Sequence, residues 1–207
     1  LILKKNKKIH FYLFTYNPLR LIFSLIPLLS NVARIYPRYL EISNDHIVIS
    51  FLNRSLIYFD NYTSPKILNS RFLSPAINYK KKEIIFGDYI NYNNFFYKQK
   101  HNYISIRKFD GINLQTIKNF NNIKHIHNIE FINDNEIVLT TGDSTKDSKI
   151  IKMNINNLNL ELLASQRCSW IVKLENENVF LAGTDYPSKE NFIIKYLLTE
   201  NKLKVIE

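Results

Sequence analysis

The residues best suited to chemistry lie in the stretch K-H-I-H-N-I-E-F-I, N-D-N-E, I-V-L-T-T-G-D, from Lys124 to Asp143. Two histidines open an apolar run and a Gly-Asp closes the next one. Fainter versions of the arrangement place Arg38, Arg71 and Arg167 just before similar runs, and Asp88 and Asp185 just after others. Arginine grips a carboxylate or sulfate in two-point fashion, histidine binds anions or metals, and carboxylates bond hydroxyls or move protons. Tyr89, Asn94 and Tyr186 follow the acidic positions and add hydroxyl, amide and aromatic groups.

The simpler reading of each residue stands beside this one. Gly-Asp at a strand end commonly makes a turn whose carboxylate caps backbone amides. His125 and His127 alternate, so an extended segment puts them on one side where they could bind a metal, but a third ligand is not identifiable from the sequence, and no metal or cofactor is expected. Arg38 could pair with an aspartate of a neighbouring unit. Trp170 fits a core position better than a sugar platform.

The elements that must position these residues are short strands. Of 207 residues, 45% are apolar, 13 are Tyr and 14 are Phe, which is strand-favouring material in a chain able to bury a core. Only 4 residues are Gly, so Asn carries much of the turn work. From Arg38 the chain reads as first strands at 38–43, 74–79, 127–132 and 168–174, each followed by a polar turn and a second strand at 46–51, 83–86, 136–141 and 178–182. Third strands follow at 55–59, 103–109, 149–155 and 191–198, and fourth strands at 65–68, 114–120, 158–164 and 202–206. First strands recur about every 43 residues, the length of a four-stranded propeller blade. The expected fold is all-β, a β-propeller or partial propeller of about four blades at 38–69, 70–122, 123–165 and 166–207. A β-sandwich is the alternative.

Residues 1–37 differ. A basic start leads into apolar runs broken by Asn17, Pro18 and Arg20, and neither run reaches the ~20 residues of a membrane span. A strand near 9–15 and a short helix near 19–33 are expected, with peripheral membrane contact left open. The formal charge of +10 has its lysines clustered only at 4–8 and 80–82, without an aromatic-interleaved RNA motif, so no nucleic-acid partner is expected. Cys168 is the sole cysteine, which excludes an internal disulfide and suits a reducing, cytoplasmic setting.

The turn in I-R-K-F-D-G-I-N-L-Q (Ile106–Gln115) resembles a worn Asp-box of sialidase-type (BNR) propellers, without its Ser and Trp. With S-R-F-L (Ser70–Leu73), F-G-D-Y with Asn94 (Phe86–Asn94), K-H-I-H-N-I, T-T-G-D and G-T-D-Y-P-S-K-E-N (Gly183–Asn191), the chain is similar to uncharacterised bacterial sialidase-like propeller proteins associated with polysaccharide gene clusters. The resemblance covers about Arg38 to the end, and such relatives usually have more blades. It implies an acidic or polar carbohydrate ligand at the channel mouth, and glycosidase or lyase chemistry if the protein is catalytic.

In an antiparallel blade, the second-to-third loop and the fourth-to-first connection lie on one face. Arg38, Arg71, His125, His127 and Arg167 should therefore ring the channel mouth and hold an anionic group. Asn94 and Asp185 on the rim loops add ligand contacts. Asp88, Tyr89 and Asp143 would bond hydroxyls or transfer protons, Tyr89 being the candidate nucleophile. A non-catalytic scaffold for protein or glycan interaction is the alternative, as is an oligomer in which another chain supplies missing blades.

Overall fold

A computed structural model of the chain describes residues 2–5, 8–11, 39–42, 46–50, 55–59, 66–68, 72, 74–78, 80–88, 103–121, 123, 125–142, 144, 147–174, 178–186, 190–199 and 202–206. The chain divides into two units, 1–37 and 38–207. In the first, β1 (Ile2–Lys5) and β2 (Lys8–Phe11) form an antiparallel pair running from Ile2 opposite Phe11 to Lys5 opposite Lys8. The helix expected near 19–33 lies outside the described residues. Among the described residues, no helix is long and apolar enough to cross a membrane.

The second unit holds four antiparallel four-stranded sheets. The first comprises β3 (Tyr39–Ile42), β4 (His46–Ser50), β5 (Ser55–Phe59) and β6 (Lys66–Leu68). The second comprises β7 (Ala76–Asn78), β8 (Glu83–Gly87), β9 (Ile104–Phe109) and β10 (Leu114–Phe120). β11 (Ile126–Asn133), β12 (Glu136–Thr141), β13 (Lys149–Asn154) and β14 (Leu160–Ala164) make the third. The fourth has β15 (Cys168–Lys173), β16 (Val179–Thr184), β17 (Ile193–Thr199) and β18 (Lys202–Val205). In every sheet the strands pair in chain order, as up-and-down blades do.

Burial follows from that order. The second strands are short apolar runs: I-V-I, I-I-F and I-V-L are covered on both faces, while in F-L-A the outward Leu181 is half-buried. The fourth strands β10 and β14 are largely exposed, as outer edges should be. Between consecutive sheets lie three apolar seams. Val48, Ile57 and Phe59 of the first sheet meet Ile84, Phe86 and Phe109 of the second. Ile85, Ile104 and Ile106 then meet Ile129, Leu139 and Met153 of the third. Val138, Ile150 and Leu163 meet Ile171, Phe180 and Tyr196 of the fourth. Burying one such side chain contributes roughly 1.5–3 kcal/mol, so the seams are the main source of cohesion in this unit.

The sheets also touch at the starts of their first strands. Ser74 forms a parallel bridge to Asn128, and the Ile129 N–H donates to the Ser74 carbonyl at 3.1 Å. This orientation puts the starts of first strands, and the ends of second strands, on one face.

Candidate functional site

The central histidine stretch folds as a hairpin with a bulge. Ile126 pairs with Thr141 and Asn128 with Thr140, leaving His127 as the extra residue. Its Nε2–H donates to the Gly142 carbonyl at 3.1 Å, which also accepts the Ser148 hydroxyl at 3.3 Å. The Gly142 N–H donates back to the His125 carbonyl at 3.1 Å. Gly142 has φ of +75°, and a side chain there would run into the Asp147 backbone at 2.4 Å, so glycine is required. The two imidazoles are buried and stand edge to face with centroids 4.6 Å apart. H-I-H (125–127) and T-T-G (140–142) are thus brought together, with the His127 ring bonded to backbone. Among the described residues, no three metal-ligating side chains gather.

The acidic positions are held differently. Asp88, after β8, receives Arg107 Nε from β9 at 3.1–3.2 Å. Asp185, after β16, lies 3.5 Å from Arg167 Nη2, just before β15. Beside it, Gln166 Nε2 donates to the Tyr186 hydroxyl at 2.7 Å, while the Tyr186 N–H donates to Asn191 Oδ1 at 2.5 Å. In the first sheet, His46 Nε2 meets Glu41 Oε1 at 2.9 Å, and the Tyr39 hydroxyl donates to the other Glu41 oxygen. A basic side chain and a carboxylate therefore pair within each of these sheets. Arg38, Arg71, Tyr89, Asn94 and Asp143 lie outside the described residues.

The Gly-Asp punctuation splits into two features. Gly87 and Gly183 both lie inside their strands, opposite Ile106 and Ile193 of the third strands. Gly142 falls one residue beyond β12. At the Asp-box-like turn, Asp110 Oδ1 accepts the N–H groups of Asn113 at 2.7 Å and Ile112 at 3.0 Å. Those two amides hold its carboxyl below the usual aspartate range. Burial pushes the Cys168 thiol up to about 12, which removes it as a nucleophile.

Three groups escape a reading of the sequence. Arg107 is visible only as part of the Asp-box-like segment. Asn128 is buried and spans three sheets: its Nδ2 donates to Ser74 Oγ at 2.7 Å, and its Oδ1 accepts the Ile171 N–H at 2.9 Å. Glu130 lies two residues further along β11, where burial, above all, raises its carboxyl to about 7. The Phe131 N–H and Lys173 oppose the rise, and the like charge of Glu41 reinforces it. Glu41 and Glu130 pair with Val48 and Val138, corresponding second-strand positions of the first and third sheets. A glutamate recurring at one position of two first strands was the available signal.

No protein-family model matches the chain, and no curated protein does. Solved structures do. A chain of the nidogen–laminin complex is 12% identical at a TM-score of 0.54, over 78% of this chain and 58% of its own length. TolB from Acinetobacter baumannii is 16% identical at 0.51, over 74% and 37%. The acylaminoacyl peptidase of Pyrococcus horikoshii is 10% identical at 0.52, over 82% and 32%. The chain thus spans between a third and three-fifths of these neighbours. With four up-and-down sheets joined by three face-to-face seams, the likeness defines an all-β propeller fold.

Proposed function

We propose that the protein is a non-catalytic propeller scaffold whose first-strand-start face receives a polar ligand, an acidic or polar carbohydrate being the class that face suits. The observation that carries this reading is the pairing of Asp88 with Arg107 and of Asp185 with Arg167. A general acid or base needs a carboxylate poised to exchange its proton. These two are held against guanidinium groups of their own sheets instead. Paired Arg and Asp groups, with Gln166 and the Tyr186 phenol between neighbouring strands, offer donors and acceptors to hydroxyls and a cationic side to a sugar acid. The resemblance to sialidase-type propellers points to the same ligand class.

The test is a glycan array with a parallel turnover assay on sialoside and uronide substrates. Binding without turnover is expected, with at least a tenfold loss in an Arg107→Ala/Arg167→Ala double variant that keeps its circular dichroism. Turnover abolished by Asp88→Asn would replace the scaffold with an enzyme, and undiminished binding by the double variant would remove the face from consideration.

A further inference from the structure

The two arginine–aspartate pairs on the first-strand-start face are built in opposite ways. In the second sheet the carboxylate is the buried partner: the Asp88 side chain is 16% exposed against 33% for Arg107. Both Asp88 oxygens lie 3.1–3.2 Å from Arg107 Nε, and the Asp88 N–H donates to the Ser105 carbonyl at 2.9 Å. Drawing that carboxylate off its arginine would leave a buried charge without its cation, which is strongly unfavourable. This pair is a fixed strut.

In the fourth sheet the burial is reversed. The Arg167 side chain is 17% exposed and that of Asp185 50%, and Asp185 Oδ2 stands 3.5 Å from Arg167 Nη2, outside the range of a good charge-assisted bond. The backbone on either side of Asp185 is pinned. Thr184 Oγ1 accepts the Phe192 N–H at 2.9 Å, and the Asn191 amide bonds both the N–H and the carbonyl of Tyr186, at 2.5 and 3.3 Å. The aspartate side chain can therefore turn further into water without disturbing the loop, and an ion pair with so exposed a partner contributes little. A carboxylate arriving on the guanidinium with two oxygens makes the stronger contact.

We propose that Asp185 is an exchangeable counter-ion, which covers Arg167 until a ligand carboxylate displaces it, so that an acidic sugar is captured at the fourth sheet. This rests on the carbohydrate reading above and adds to it which arginine takes the acid and what competes for that arginine beforehand. Gln166 and Tyr186, joined to each other at 2.7 Å next to Arg167 and Asp185 in the chain, are then placed to meet hydroxyls of the same sugar.

Isothermal titration calorimetry tests this with a uronic-acid tetrasaccharide and with the same tetrasaccharide reduced to the alcohol at its carboxyl groups, circular dichroism verifying the fold of each variant. The wild type should prefer the acidic ligand. Asp185→Asn keeps the shape and removes the competing charge, so its preference for acidic over neutral should rise at least fivefold. Arg167→Gln should abolish the preference, and adding Asp185→Asn to it should restore none. A gain from Asp185→Asn that persists without Arg167 is a general charge effect and overturns the exchange. An Asp185→Asn variant whose preference is unchanged or lower also overturns it, making the aspartate a bystander or a ligand contact while the carbohydrate reading stands. If neither tetrasaccharide binds any of these proteins, the carbohydrate reading fails and the exchange fails with it.

Discussion

The seam between the second and third sheets and the seam between the third and fourth use the same strand, β11, in opposite ways. Towards the second sheet, β11 turns Ile129 and Phe131, and its start meets Ser74 through a backbone bridge. Towards the fourth it turns Asn128, Glu130 and Ile132. There a side-chain amide takes the place of a backbone carbonyl for the Ile171 N–H, and Lys173 Nζ donates to the Ile132 carbonyl at 2.7 Å. Both seams have apolar centres, but along β11 the one towards the fourth sheet adds polar stitches at both ends with a half-buried carboxylate between them. A close-packed aliphatic seam fails when volume changes. A polar one fails when a partner is removed or a charge changes.

The largest effect should come from overfilling the aliphatic seam. A Cβ placed on Gly87 would lie 2.4 Å from Ile126 Cβ and 2.6 Å from its Cγ2, atoms near the backbone that cannot swing aside. Gly87→Val should therefore cost about 3 kcal/mol, at the upper end for overpacked cores, read as a lowered urea midpoint. A loss below about 1 kcal/mol would mean the seam repacks freely and the contrast is overstated.

Next comes removal of the polar stitch. Asn128→Ala deprives the buried Ile171 N–H and the Ser74 hydroxyl of their partner in one step. An unsatisfied buried donor costs about 1–3 kcal/mol, so about 2 kcal/mol is expected. Amide hydrogen exchange separates this from general loosening: Ile171 should lose protection while Ile129, bonded to the Ser74 backbone, keeps it. Equal loss at both amides would show that the seams open together.

The strand pattern was legible because it is local. Alternating apolar residues and Asn turns put β12, β5 and β10 at their observed bounds, and most of the other strands within two residues. What binds the sheets at the axis was not legible. The bulge at His127 changes the strand's parity, and it depends on the register with β12 rather than on the residue itself. Asn128 reads as one asparagine among many in a chain that uses asparagine for turns. Its role is set by Ser74, 54 positions away, and Ile171, 43 positions away. Likewise Asp88 and Arg107 are 19 positions apart, and only the pairing of β8 with β9 brings them together.

The smallest effect, and the one that isolates the charged component of the polar seam, is that of Glu130→Gln. Burial raises the Glu130 carboxyl from 4.5 to about 7, with Glu41 adding to the rise and Lys173 opposing it. The folded protein therefore holds this proton more tightly than the unfolded chain. Its contribution to stability is fully present below about pH 4.5, is lost as pH climbs towards 7, and stays lost above. The glutamine variant keeps the shape without the charge, so it should match wild type near the low end and exceed it by about 1–2 kcal/mol at pH 8, allowing for partial exposure. Glu41→Gln should move the Glu130 titration, followed by carboxyl-carbon NMR, towards lower pH by removing the like charge. Parallel stability profiles for wild type and Glu130→Gln between pH 4.5 and 8 would place the carboxylate in water, and the two seams of β11 would then differ in hydrogen bonding alone.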